Sequence, residues 1–128
     1  MIHVVLPILV VGVMPYVLTG ISKSKGFGQK ENEHTRQWQA SLTGWQQRAY
    51  WAHQNAFEAL PLFAALVLAA YIVKPTSPIL AIAAWTFVGL RIAHAACYLA
   101  DMGRLRSTVW LLSQGVLVAP LLVALSVI

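Results

Sequence analysis

Charged side chains are scarce in this sequence, in which 10% of the 128 residues are Asp, Glu, Lys or Arg and 59% are hydrophobic. Soluble domains carry about 25% charged residues, so the composition excludes an ordinary soluble domain. Cysteine is nearly absent as well, because Cys97 is the only one. A disulfide within the chain is therefore excluded, and a lone thiol in an apolar stretch is typical of a packing residue. The four histidines form no cluster with metal-ligand spacing, so we predict no metal site.

Long apolar runs make up most of what is present. A helix that crosses the hydrocarbon core of a membrane needs ~20 predominantly apolar residues, and four stretches of that length occur. Prolines interrupt the short connection between the second and third stretches, and proline stops a helix. We therefore predict a single all-α domain, an integral membrane four-helix bundle. Its helices run over residues of about 2–22, 47–73, 78–100 and 107–128, and its one long connection, about 23–46, is helical again from Arg36 onward.

Basic residues are distributed unevenly among the three connections. Five lie in or beside the first connection, between Lys23 and Arg48, two lie in the third, and Lys74 alone lies in the second. Connections rich in Lys and Arg stay in the cytoplasm. We therefore predict that the first and third connections are cytoplasmic and that both termini are on the other side. The net charge of +5 follows from this asymmetry, so it indicates membrane orientation and not nucleic acid binding.

Two of the predicted helices carry a line of polar side chains on one face. In each, four residues follow one another at offsets of 0, 3, 7 and 10, a spacing that keeps them on one side of a helix. These residues are Arg48, Trp51, Asn55 and Glu58 in the second helix, and Arg91, His94, Tyr98 and Asp101 in the third.

An antiparallel alignment of these two faces brings Glu58 level with Arg91, roughly 15 Å from the ends of their helices at 1.5 Å per residue. An ionised side chain at that depth costs at least ~2.5–3.5 kcal/mol, so such residues pair or line a polar cavity. The pair is either a clamp between two helices or the floor of a polar pocket, and the number of polar groups favours the pocket. The same alignment predicts Asn55 beside His94, Trp51 beside Tyr98 and Arg48 beside Asp101.

Two segments resemble the signature segments of the MAPEG family, the membrane-associated proteins in eicosanoid and glutathione metabolism: RAYWAHQNAFEALPLF (48–63) and GLRIAHAACYLADMGRLRS (89–107). A third, TRQWQASLTGWQQRA (35–49), resembles the corresponding loop of bacterial members. The resemblance implies a homotrimer in a bacterial inner membrane, surrounded by membrane lipid, with glutathione bound between subunits near the cytoplasmic side. The residues that it implies at glutathione are Asn55, Glu58, Arg91, His94, Tyr98, Arg106 and Ser107.

The chemistry of glutathione matches these residue types. Its carboxylates suit a guanidinium such as that of Arg106, and its amine suits a carboxylate such as that of Glu58. A cation or hydroxyl near its thiol favours the reactive thiolate, and Arg106 and Ser107 are predicted at a helix N-terminus, which also favours an anion. We therefore predict a glutathione transferase or peroxidase acting on small hydrophobic electrophiles. Arg106 and Ser107 are its predicted catalytic residues, and Arg48 joins the residues predicted to bind glutathione.

Three positions depart from the family pattern. Trp51 and Gln54 stand where well-characterised members carry arginine, and Trp110 stands where an aromatic hydroxyl is expected. A different thiol or a lipid in the groove, and a non-enzymatic membrane scaffold or lipid-binding protein of the same fold, therefore stay open as alternatives. A small multidrug transporter is disfavoured, because its essential glutamate lies in the first helix and residues 2–22 contain no acid.

Overall fold

The computed structural model describes all residues from Met1 to Ile128, and every regular element in it is an α-helix. Four helical stretches are long and apolar enough to cross a membrane, so the predicted all-α architecture with four membrane spans is confirmed. The spans are α1, α4, α5 and the consecutive pair α6 and α7. In chain order the helices are α1 (Ile2–Ser22), α2 (Gln29–Glu33), α3 (Thr35–Ala40), α4 (Gly44–Val73), α5 (Pro78–Leu99), α6 (Gly103–Val116) and α7 (Val118–Ala124).

The fourth span differs from the sequence prediction at its start and in its middle. It begins at Gly103 and not at Ser107, because Asp101 adopts the left-handed conformation (φ 59°) and ends α5 abruptly. In that turn the backbone N–H of Met102 donates to the carbonyl of Cys97 at 2.9 Å. The span is interrupted at Leu117, between α6 and α7, because the proline at position 120 has no N–H to continue the ladder of backbone hydrogen bonds.

The α4–α5 connection is a tight turn built from cap residues. Ser77 is the N-cap of α5 and accepts a hydrogen bond from the backbone N–H of Leu80 at 3.4 Å. Pro78 follows at the first helical position, where its missing N–H leaves no bond unmade. The short turn makes α4 and α5 antiparallel neighbours.

Helices α4 and α5 form the middle of the bundle. Helix α1 contacts both of them on one side, α7 contacts both on the other, and α1 has no extended contact with α6 or α7. The rings of Phe63 and Phe87 stack between α4 and α5 with their centroids 4.3 Å apart. Small residues such as Ala52 and Ala56 are buried where α4 meets Leu18 of α1. They let the two backbones approach closely, which is how membrane helices gain van der Waals contact.

The long connection between α1 and α4 is fastened to one end of the bundle. The side chain of Gln39, in α3, donates to the hydroxyls of Thr19 and Ser22, both at 2.9 Å. Gln46, in the first turn of α4, donates to the carbonyls of Ser22 and Lys25 at 2.8 and 2.7 Å. The connection therefore lies at the same end of the bundle as the α5–α6 turn, and we call this the polar end.

Candidate functional site

Arg91 has the largest side chain that is fully buried in the bundle, with 1% of its surface exposed. Its Nη2 donates to the side-chain carbonyl oxygen of Asn55 at 2.6 Å and to the backbone carbonyl of the same residue at 3.1 Å. The guanidinium thereby joins α5 to α4. Its Nε and Nη1 are also buried but make no hydrogen bond. An unpaired buried donor is costly, and these two groups could donate to a partner that the chain itself does not supply.

Glu58 does not pair directly with Arg91, and the prediction of that ion pair is wrong. Asn55 stands between them, because its Nδ2 donates to Glu58 Oε2 at 3.4 Å while its oxygen accepts from Arg91. The predicted register of the two helices is kept, because Arg48 still meets Asp101, but the Arg91 side chain reaches along α4 to both carbonyl oxygens of Asn55 while the Glu58 side chain is exposed. The carboxylate of Glu58 therefore lies exposed on the side of the bundle, near the middle of α4.

The predicted contact between Arg48 and Asp101 is present, although it is long and partly open to solvent. The two side chains form an ion pair of 3.8 Å, in which Arg48 is 25% and Asp101 75% exposed. The pair lies at the polar end, where it joins the beginning of α4 to the α5–α6 turn. An exposed pair of this kind contributes about 0–1 kcal/mol, so its main effect is to position the turn.

The predicted polar residues at the end of α5 form a second group with α6. The ring of His94 meets that of Tyr98 edge to face at 5.2 Å. The guanidinium of Arg106, from α6, lies 4.4 Å from the centre of the Tyr98 ring. This cation–π contact keeps the positive charge of Arg106 on the same side of α5 as His94. His94 contacts the ring of Tyr98 and forms no hydrogen bond with Asn55, the residue that the sequence predicted beside it.

The sequence predicted Arg106 and Ser107 at a free helix N-terminus, and this prediction is wrong. Because α6 begins at Gly103, the backbone N–H of Arg106 already donates to the carbonyl of Met102 at 2.9 Å. The hydroxyl of Ser107 donates to the carbonyl of Gly103 at 3.2 Å, and the residue is exposed. Neither backbone amide is therefore available to an anion, and what this segment offers is the guanidinium of Arg106 and an exposed hydroxyl.

A cavity of about 150 Å³ opens beside Glu58, between α4 and α6. Asn55, Glu58 and Ala59 line it from α4, and Trp110 and Gln114 from α6. Gln114 did not appear among the sequence-predicted site residues. The signal was present, because Trp110 and Gln114 are four residues apart and therefore share one face of an apolar helix.

The fold and this polar cluster together define the class of protein. Four membrane-length helices make it an integral, multi-pass membrane protein, and the guanidinium, amide and carboxylate between its central helices are groups that a membrane protein keeps for a binding site or a helix clamp. The model of the MAPEG family matches residues 1–126. The chain belongs to the MAPEG family, as its two signature segments indicated. No curated protein and no solved structure matches the chain.

Proposed function

We propose that this protein binds glutathione and is a membrane-bound transferase that conjugates it to small hydrophobic electrophiles, or a peroxidase that reduces hydroperoxides with it. The observation that carries the proposal is the state of Arg91. Its guanidinium is fully buried, yet its Nε and Nη1 have no hydrogen-bond partner. A residue that served only to clamp two helices would be better satisfied, since an unpaired buried donor costs roughly 1–3 kcal/mol.

The residues around Arg91 match the charged groups of glutathione. The guanidinium group of Arg91 is a donor for one of its carboxylates, because a planar guanidinium fork pairs well with a carboxylate. Glu58 is exposed and has no ion pair, so it is available to the amine. Asn55 bonds to both Arg91 and Glu58 and holds them at a fixed separation. Tyr98 positions Arg106 through its ring.

Glutathione would supply a nucleophilic thiol, and the role of the protein is to hold that thiol as a thiolate beside the electrophile. A free thiol has a pKa near 8.5, and a nearby cation lowers it. Arg106 is the cation assigned to this role, because it extends from α6 over the ring of Tyr98 at the polar end. Ser107 is assigned as a second donor, because its side chain is exposed and its one O–H can turn from the Gly103 carbonyl, to which it donates at 3.2 Å. His94 and Arg48 complete the proposed binding residues around this end.

We also propose that the protein assembles as a homotrimer in which the edge that carries Glu58 is covered by a neighbouring subunit. A charged side chain facing lipid costs at least ~2.5–3.5 kcal/mol, and Glu58 is exposed in the single chain. The opposite edge of the bundle, between α1 and α5, has a groove of about 600 Å³ lined only by apolar residues. Two unlike edges give a head-to-tail contact, which closes into a ring of three when each subunit is rotated by one third of a turn from the next. The excess of Lys and Arg at the polar end supports a cytoplasmic location for that end, with both termini on the other side.

Titration calorimetry with glutathione, on the purified protein in an uncharged detergent, tests the binding part of this proposal. The wild-type protein is expected to bind glutathione at millimolar concentrations or below. Glu58→Gln removes the partner of the amine without touching a buried contact, so binding should weaken about tenfold or more, the value of one charge-assisted hydrogen bond. Gln54→Ala is the matched control, because Gln54 is exposed on the same helix and does not line the cavity.

Turnover with a hydrophobic aryl halide and with an organic hydroperoxide tests the enzymatic part. Conjugation or reduction that requires glutathione and falls in Arg106→Gln would support the assigned role of Arg106. No binding and no turnover at millimolar glutathione, in a protein that remains helical, would contradict the proposal. The second candidate, a non-enzymatic lipid-binding or scaffold protein, would then be favoured by the apolar groove between α1 and α5, which can accept an acyl chain.

A further inference from the structure

The connection between α1 and α4 carries four positive charges against two negative ones, and none of the four cations is held in an ion pair. Lys23, Lys25, Lys30 and Arg36 lie in this connection, and none of them forms an ion pair, because the pair between Arg48 and Asp101 is the only one in the structure. Two glutamates lie in the same connection, but the carboxylate of Glu31 accepts the backbone N–H of Gly28 at 2.9 Å instead. Residues 23–43, which we call the basic platform, therefore present their cations to the surroundings.

Aromatic rings lie among these cations. The ammonium group of Lys23 is 4.5 Å from the centre of the Phe27 ring, and Phe27 packs against Trp38 with their centroids 5.1 Å apart. Trp45 is exposed at the start of α4, directly after the platform. Trp in particular is enriched where a membrane protein meets the lipid headgroups. The rings thus indicate that the platform lies at headgroup depth and not out in the aqueous phase.

The platform is also held in place before anything binds to it. The bonds from Gln39 to Thr19 and Ser22, and from Gln46 to the carbonyl of Lys25, tie it to the ends of α1 and α4. A cleft of about 310 Å³ opens in its surface. Its lining residues are Lys30, Glu31, His34, Gln37, Trp38 and Ser41. The cleft holds one lysine and one carboxylate, so the cations of the platform are spread over its surface. Because the platform is already fixed in place, it loses little conformational entropy when an anion binds.

We propose that the basic platform binds the headgroups of anionic phospholipids in the membrane leaflet at the polar end of the bundle. Lys and Arg next to a membrane-spanning helix are attracted to anionic headgroups, and each changes the affinity about fivefold. A phospholipid is favoured as the occupant because cations and aromatic rings share one connection at the ends of two membrane spans, with Lys23 placed over the ring of Phe27. This inference concerns a surface separate from the glutathione site, and it stands whether or not the protein binds glutathione.

Lipid adducts measured by native mass spectrometry of the full-length protein test the proposal. The delipidated protein in an uncharged detergent is mixed with phosphatidylglycerol or with phosphatidylcholine of the same acyl chains. The wild type should prefer phosphatidylglycerol at least tenfold. Most of that preference should be lost in a quadruple variant that carries Lys23→Gln, Lys25→Gln, Lys30→Gln and Arg36→Gln. If the quadruple variant is less helical than wild type, the triple variant that keeps Lys23 replaces it. Lys74→Gln, which removes the cation of the α4–α5 connection, should retain the preference.

Three outcomes would overturn the proposal. They are a wild type that binds both lipids equally, a neutralised platform that keeps the preference, and a Lys74→Gln variant that loses as much as the platform variant. Inorganic phosphate distinguishes a free anion from a lipid headgroup. Displacement of phosphatidylglycerol by millimolar phosphate, but not by chloride at the same ionic strength, would make the platform a site for free phosphate and would refute the lipid assignment.

Discussion

Replacement of Asn55 tests whether Arg91 depends on that residue or on Glu58. Asn55→Ala removes the 2.6 Å hydrogen bond to the Arg91 guanidinium and leaves the 3.1 Å bond to the backbone carbonyl in place. A hydrogen bond to a charged group contributes about 1.5–3 kcal/mol, so we expect the free energy of unfolding to fall by about 2 kcal/mol. Asn55→Asp keeps an acceptor for the guanidinium and should stay within about 1 kcal/mol of wild type.

Glu58→Gln is expected to change the free energy of unfolding little, whereas a direct ion pair with Arg91 would make its effect large. The carboxylate is exposed and makes one hydrogen bond, with the amide of Asn55 at 3.4 Å, so the substitution should cost less than about 1 kcal/mol. A residue in a buried ion pair with Arg91 would instead cost about 3–5 kcal/mol when its charge is removed. The free energies of unfolding of the two variants should therefore be compared, and Asn55→Ala is expected to be the less stable one.

Unfolding in mixed micelles with increasing dodecyl sulfate, followed by circular dichroism, supplies this measurement. All variants are compared at one protein concentration, because the stability of an assembly depends on it. Gln54→Ala is the control, since its side chain bonds only to the hydroxyl of Tyr50 on its own helix. If Glu58→Gln lowers the stability as much as Asn55→Ala, the arrangement in which Asn55 stands between Arg91 and Glu58 is refuted. A direct interaction between Glu58 and Arg91 must then exist in the membrane.

Two further predictions concern contacts outside the candidate site. His53 Nδ1 lies 2.7 Å from the carbonyl of Pro15, so His53→Phe should lower the free energy of unfolding by about 1 kcal/mol. An unchanged unfolding curve would contradict a stabilising hydrogen bond between α1 and α4 at this position. Asp101→Gly should be at least as stable as wild type, because glycine adopts φ 59° without strain and the exposed pair with Arg48 adds little. Asp101→Ala should be about 1 kcal/mol less stable than Asp101→Gly, and the reverse order in thermal unfolding would refute the strain argument.

The four membrane spans were predictable from the sequence because each depends on a local property, the length of an apolar run. The same holds for the residues that share a helix face. Asn55 and Glu58 are three residues apart, and so are Arg91 and His94, and the helical period alone places each pair on one side of its helix. The family was also evident from two short segments, since these contain the polar residues that an apolar helix does not need.

The tertiary structure decided how the helices are placed against one another. The choice of Asn55 over Glu58 as the partner of Arg91 is not contained in the periodicity of either helix, because it depends on the direction in which packing holds each side chain. The start of α6 depends on one backbone angle, that of Asp101, for which a non-glycine residue gives only a weak signal. Gln114 belongs to the cavity because α6 turns that face toward α4, and the rotation of a helix about its own axis is fixed only by its neighbours.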